Sequence, residues 1–223
     1  MKLLVISGGR HPYEETTPVL EGFLNEAGYD TTVHWDANIL GNSNEMARYD
    51  VLIFNTLRFE ETALDKSQQD GLEQFINSGK GFLCIHISGC VVSAWPEYQK
   101  ITGGGWIMES SFHPLQESFL VNINNSDHPG VAGISDFYTN DELYMGIDFR
   151  SGNDVFMEAT SVSGTYPWRG EEMEMPAGTF PLGWTREYGN GKVFVTLLGH
   201  NGLSFRTPEF QRLILNGINW ITT

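Results

Sequence analysis

Residues 3–9 read Leu3-Leu4-Val5-Ile6-Ser7-Gly8-Gly9. An unbroken apolar row stopped by a Ser-Gly-Gly turn describes a strand covered on both faces, as in parallel sheets. The pattern returns at Val51-Leu52-Ile53-Phe54 and at Phe82-Leu83-Cys84-Ile85. Helical spacing lies between these runs. Leu20, Phe23, Leu24 and Ala27 share one face, with Thr17-Pro18 placed as N-cap and first helical residue and Gly28 as the stop. Leu64, Gln68, Leu72, Phe75 and Ile76 outline a second helix closed by Gly79, and Thr31 to Trp35 alternates as a strand. Strand and helix thus alternate through residue 86. This predicts an α/β fold: three layers, α/β/α, around a mostly parallel central sheet.

The second half is less regular. Residues 87–118 are rich in Gly, Ser, Trp and Pro, with a helix expected near Ala94 to Ile101. Phe119 to Ile123 and Val155 to Ala159 read as strands. Pro181 to Tyr188 and Lys192 to Leu198 flank Gly189-Asn190-Gly191, a hairpin signal, because Asn-Gly tolerates positive φ. Thr207-Pro208 opens a last helix whose face is Phe210, Leu213, Ile214, Gly217, Ile218 and Ile221. With no repeat or linker, the expectation is one domain over 1–223, with an irregular loop-rich insertion around 87–190.

Composition narrows the function. The chain has 223 residues, 13 Lys and Arg against 28 Asp and Glu, and a net charge of −15. Phosphate backbones and anionic lipids need clustered cations, so nucleic acid and membrane surfaces are not the expected partners. No apolar stretch reaches about 18 residues, and the first apolar run is too short for a signal peptide. Two cysteines, Cys84 and Cys90, are too few for a disulfide framework. The expected setting is the cytoplasm and the expected partner a small molecule. Unpaired strand edges in the second half leave a homo-oligomer open.

The candidate chemistry follows from topology. In open parallel sheets, ligands bind beyond the carboxyl ends of the strands. His11 follows the first strand, His86 closes the strand 82–85, and His200 closes the strand begun at Lys192. If these strands are parallel, the three imidazoles meet at one edge. Cys84-Ile85-His86-Ile87-Ser88-Gly89 has the layout of a strand-to-turn elbow that would present His86 to the cleft. Glu142, within Asn140-Asp141-Glu142-Leu143-Tyr144, is the expected carboxylate partner of the histidines, as a base or as a ligand. His113, fixed by Pro114, completes the set. Tryptophans 95, 106, 168 and 184 are candidate sugar platforms, although buried aromatics are the commoner case. No Gly-Lys-Ser/Thr follows Gly103-Gly104-Gly105, and neither Gly-x-Ser-x-Gly nor His-Glu-x-x-His is present.

An ordered set of short motifs carries a resemblance. It comprises Gly8-Gly9-Arg10-His11, Gly81 to His86, Trp95-x-x-Tyr98, Gly103-Gly104-Gly105 and Phe112-His113-Pro114. It continues with Asp127-His128-Pro129, Asp141-Glu142-Leu143-Tyr144, Tyr188 to Phe194 and Leu198-Gly199-His200. Together these resemble the ThuA-like (trehalose utilisation) family, along nearly the whole chain. The resemblance implies a class I glutamine amidotransferase-like, flavodoxin-like fold and a role with sugars or keto-sugars. In amidotransferases the elbow carries cysteine and a late His precedes Glu by two residues. Here His86 stands at the elbow and Asn201-Gly202 follow His200, which argues against glutamine hydrolysis. The first loop also departs from the family form, with His11-Pro12 where His-Asp is usual.

The expected function is a carbohydrate-metabolism protein acting on a sugar or keto-sugar derivative as a hydrolase, lyase or isomerase. His86, His200 and Glu142 are the expected catalytic groups, and His11, His113, Trp95 and Tyr144 are expected to bind substrate. Histidine titrates near neutrality, which suits proton transfer beside a carbonyl. His86, His200 and Glu142 equally suit a divalent metal such as Zn²⁺. The alternative is a non-catalytic sugar-binding or regulatory module.

Overall fold

The computed structural model describes residues 1–223. In chain order the elements are β1 (Lys2–Gly8), α1 (Tyr13–Glu26), β2 (Asp30–His34), α2 (Ser43–Met46), β3 (Val51–Thr56), α3 (Lys66–Asn77) and β4 (Gly81–Ile85). Next come α4 (Pro96–Thr102), β5 (Gly104–Gly105), β6 (Glu117–Ile123), β7 (Phe137–Asp141), β8 (Asp148–Phe149), β9 (Asp154–Ser161), β10 (Gly164–Trp168) and β11 (Glu171–Met175). The chain closes with β12 (Gly178–Tyr188), β13 (Gly191–Thr196), α5 (Gly202–Arg206) and α6 (Pro208–Ile221).

One nine-stranded sheet runs in the order β2-β1-β3-β4-β13-β12-β9-β6-β7. The apolar runs of β1, β3 and β4 are buried along almost their whole length, as strands covered on both faces must be. The β13 strand shows that covering directly. Its Phe194 ring lies against Gly217 of α6 and its Lys192 sits over Trp220 of the same helix, whereas Gly191 abuts Ile76 of α3. Alternate residues therefore face helices on opposite sides of the sheet.

The expectation of a mostly parallel sheet holds for one half. The pairings β1–β2, β1–β3, β3–β4 and β4–β13 are parallel. The pairings β13–β12, β12–β9, β9–β6 and β6–β7 are antiparallel. Residues 87–190, expected as a loop-rich insertion, supply these antiparallel strands up to Tyr188. Their outer faces meet solvent, so they lack the unbroken apolar rows that mark the parallel half.

Two local readings shift. Helix α1 starts at Tyr13, not near Thr17, and holds Pro18 inside it. The Thr17 hydroxyl lies 2.6 Å from Ser7 Oγ and accepts from Asn55 Nδ2, so it ties the helix to β1 and β3 instead of capping it. The hairpin turn is Gly189-Asn190, closed by Tyr188 opposite Gly191, and Gly189 takes the positive φ of 57°. Helix α3 starts at Lys66, two residues after the Leu64 of its predicted face, with Asp65 and Gln68 forming a reciprocal cap. Its Gly71 passes so close to the Leu40 carbonyl that a Cβ would lie 1.7 Å from that oxygen.

The antiparallel half determines the site. In a flat sheet, β7 would stand four strand spacings from β13, about 19 Å at ~4.8 Å each. Yet Asp141, the last residue of β7, accepts the N–H of Gly199, three residues beyond β13, at 2.7 Å. The sheet therefore curls. Strand β6 pairs with β9 only through Asn122 and Ile123, and from there the β6–β7 ribbon turns back over the carboxyl edge of the parallel half.

Candidate functional site

The parallel half delivers three imidazoles to one edge. His11 stands three residues beyond β1, His86 directly after β4, and His200 in the loop from β13 to α5. Their ring centroids form a near-equilateral triangle: 5.3 Å for His11–His86, 5.1 Å for His11–His200 and 5.4 Å for His86–His200. The curled β7 brings Glu142 to this triangle. Its Oε2 lies 3.4 Å from His86 Nε2 and 3.2 Å from His200 Nδ1, and its Oε1 lies 3.5 Å from His113 Nε2.

Three of the four rings, those of His11, His86 and His113, are held by a bond from Nδ1 to a backbone carbonyl. His86 is buried and sits at the elbow with φ 55°, a left-handed conformation that costs a non-glycine residue of order 1–3 kcal/mol. Its Nδ1 bonds the Leu197 carbonyl at 2.7 Å, tying the elbow to the end of β13. The Tyr144 hydroxyl meets His86 Nε2 at 2.6 Å. His11 Nδ1 bonds the Arg10 carbonyl at 2.5 Å and His113 Nδ1 the Pro114 carbonyl at 2.7 Å.

Asp141 organises the His200 side. It is fully buried. Its carboxylate accepts N–H groups from Gly199 (2.7 Å), His200 (3.2 Å) and Glu142 (2.9 Å), and the Ser204 hydroxyl (2.6 Å). One side chain thus fixes the backbones that carry Glu142 and His200. The sequence reading named Asp141 without giving it a role. The signal was alternation: Phe137, Thr139 and Asp141 are the buried residues of β7.

The electrostatics follow from burial and mutual proximity. Burial pushes His11 down to about 4, and the neighbouring His86 adds to that. Burial likewise lowers His113, against the pull of Glu142. For His200, burial works downward, but Glu142 outweighs it and the pKa is raised. For Glu142, burial works upward, but His200 and His86 outweigh it and hold the carboxyl well below the usual carboxylate range. Burial raises the Tyr144 phenol well above its ordinary value, so it stays protonated and donates to His86. The site therefore holds a carboxylate facing imidazoles of unequal basicity, which is the requirement for acid/base work near neutrality.

Aromatic rings wall one side. Trp106 lies 4.5 Å from the Tyr144 ring and 5.6 Å from His113, and Trp168 stands edge-on to His113 at 4.8 Å. Trp168 ends β10 at the tip of the β10–β11 hairpin. The next residue, Arg169, donates from Nη2 to the Met108 carbonyl at 2.7 Å and pins that tip. Of the expected site residues, His11, His86, His113, Glu142, Tyr144 and His200 come together. Trp95 does not join them: it stacks on Tyr98 at 4.7 Å and donates its indole N–H to Glu73. Trp184 is fully buried and donates to the Thr102 carbonyl. His128 is structural, bonded to Thr185 and Gly130. Cys84 and Cys90 are buried, and burial pushes both thiols up to about 12, so neither is available as a thiolate.

The family model described as trehalose utilisation, ThuA, matches residues 2–221. The chain belongs to the ThuA family. Among solved structures, this ThuA chain is similar to a ThuA-like protein from Parabacteroides merdae, with TM-score 0.79 and 20% identity, covering 100% of this chain and 90% of that one. A ThuA-like protein from Bacteroides uniformis gives TM-score 0.72 at 17% identity, covering 99% and 91%. A cytoplasmic protein from Salmonella typhimurium gives 0.64 at 17%, covering 99% of both chains. At such identities the likeness shows the ThuA fold. No curated protein matches the sequence, and no helix is long and apolar enough to cross a membrane. The family description supplies a carbohydrate-metabolism context, and the site supplies the chemistry to be placed in it.

Proposed function

We propose that this ThuA protein acts on a sugar or keto-sugar derivative, moving a proton at a carbon next to a carbonyl, as a hydrolase, lyase or isomerase of the cytoplasm. The observation that carries this reading is the single carboxylate of Glu142, shared by His86, His113 and His200 beside an aromatic wall. A sugar ring offers apolar C–H faces to Trp106 and Trp168 and a carbonyl or hydroxyl to the imidazoles. In the metal-free cluster His86 takes the proton and the Glu142 carboxylate, 3.4 Å away, stabilises the imidazolium that forms. The raised pKa of His200 suits it to donate a proton to the developing oxyanion, and Tyr144 orients His86. Glutamine hydrolysis is disfavoured, because the elbow presents His86 and the buried Cys84 thiol is protonated at neutral pH.

The test is a panel of aldo- and keto-sugars incubated with the protein in deuterated water. Exchange of the hydrogen next to the carbonyl, or conversion of the sugar, is expected for the wild type and abolished by Glu142→Gln. Sugar binding detected by thermal shift, with neither exchange nor conversion across the panel, would favour a sugar-binding module instead.

A further inference from the structure

The donors and acceptors of the cluster do not balance. A carbonyl only accepts, so the Nδ1 atoms of His11, His86 and His113 must carry their protons toward Arg10, Leu197 and Pro114. Each neutral ring then turns a bare Nε2 lone pair away from its carbonyl partner. For His86 and His113 that lone pair meets the Glu142 carboxylate, which also only accepts. His11 Nε2 is buried with no hydrogen-bond partner. His200 Nδ1 is buried too, and although 3.2 Å from Glu142 Oε2 it is not aligned for a hydrogen bond. Tyr144 supplies one donor, to His86, and a proton on His200 adds one more, against the bare Nε2 atoms of His11 and His113 and both Glu142 oxygens, so acceptors stay in excess. Acceptors gathered out of water repel one another and forfeit their hydration unless something positive lies among them.

One ligand atom from each of His11, His86, Glu142 and His200 lies within 4.8 Å of the other three. Around Zn²⁺, with ligands at about 2.0–2.1 Å, neighbouring tetrahedral donors sit about 3.3 Å apart, so a modest closure completes the shell. The supporting bonds also fit: metal-binding histidines typically give their second ring N–H to a carbonyl or carboxylate, which fixes tautomer and aim.

We propose that His11, His86, His200 and Glu142 form a binding site for one divalent transition cation, with zinc foremost. Three imidazole nitrogens and one carboxylate suit zinc and its neighbours, whereas Mg²⁺ prefers oxygen ligands. The cation displaces the Tyr144 hydrogen bond at His86 Nε2 and leaves the phenol beside the ion. The site is the one assigned above to sugar chemistry, but the inference rests on the donor set and not on that assignment.

The test uses the untagged full chain, stripped with chelator and titrated by calorimetry with Zn²⁺ and, separately, Mg²⁺, with no sugar present. One Zn²⁺ per chain and no measurable Mg²⁺ binding are expected, and Co²⁺ should give visible absorption bands of a nitrogen/oxygen shell. His11→Gln and Glu142→Gln should each weaken Zn²⁺ at least about tenfold, the loss seen even for groups outside a ligand shell. Circular dichroism checks that both variants fold; His86 is left intact because its ring also holds the elbow. No Zn²⁺ binding, equal binding of Mg²⁺, or folded variants with wild-type affinity would overturn the proposal. Zinc bound by a protein inert toward every sugar would sink only the functional reading, and sugar turnover by a protein that binds no zinc only this one.

Discussion

Asp141 and Gly199 meet through a 2.7 Å hydrogen bond, although β7 and β13 are separated in the sheet by three other strands. The bond joins the curled antiparallel half to the end of the parallel half, and the carboxylate that makes it also holds the backbones of Glu142 and His200. Asp141→Asn keeps the shape, but whichever oxygen becomes the amide NH₂ then faces at least one backbone N–H, which only donates. Leaving a buried donor unsatisfied costs about 1–3 kcal/mol. The variant is expected to unfold at lower urea concentration by that amount and to lose activity beyond it, because Glu142 and His200 separate. Wild-type activity in a merely destabilised variant would show that Asp141 does not position the site.

Gly71→Ala tests packing far from the chemistry. Its Cβ would meet the Leu40 carbonyl at 1.7 Å, so α3 must move away from the turn that carries Leu40. Overpacking of this kind costs about 1–3 kcal/mol, although alanine is the better helix former by ~1 kcal/mol. Net destabilisation in urea with unchanged zinc affinity is expected. A stabilised Gly71→Ala would mean that the close approach is easily relieved.

Stability should also depend on pH through His128. Its Nδ1 accepts the Gly130 N–H at 3.0 Å, so its Nε2–H faces Thr185 Oγ1. Burial lowers its pKa, against the pull of Asp154 at 3.8 Å. The fold therefore resists a proton that the unfolded chain accepts near pH 6.5. The stabilisation is complete above that pH and is lost as pH falls through the lower folded value. The stability gap between wild type and His128→Gln should be larger at pH 7.5 than at 5.5, measured by urea midpoints. A pH-independent gap would refute it.

Much of this was legible in the sequence, for a physical reason. The unbroken apolar rows of β1, β3 and β4 can be satisfied only by cover on both faces, and parallel strands place His11, His86 and His200 at one edge without further information. The arrival of Glu142 was not legible as geometry. It depends on the curl of strands whose exposed faces blur the pattern, and on a contact between residues 58 positions apart. The start of α1 was misplaced because the Thr17 hydroxyl serves Ser7 and Asn55, and local capping rules do not see tertiary partners. Trp95 was indistinguishable from Trp106 and Trp168 as a platform, because all three are aromatics in the same Gly-, Pro- and Ser-rich context. What separates them is the hairpin tip of Trp168 and the ring contacts of Trp106.

That separation yields the last prediction. Trp168 is half-buried at a hairpin tip, whereas Trp106 is 6% exposed and packs on Tyr144. Trp168→Ala removes a stacking surface without opening the core, so its stability should stay within roughly 0.5–1 kcal/mol of wild type, as for surface changes. Trp106→Ala vacates a buried volume and should cost about 3–5 kcal/mol. If Trp168 is a sugar platform, its alanine variant should raise KM about five- to tenfold while kcat stays near wild type, because stacking binds ground state and transition state alike. A loss in kcat with KM unchanged would instead place Trp168 among the groups that act on the reacting atoms through His113, 4.8 Å away.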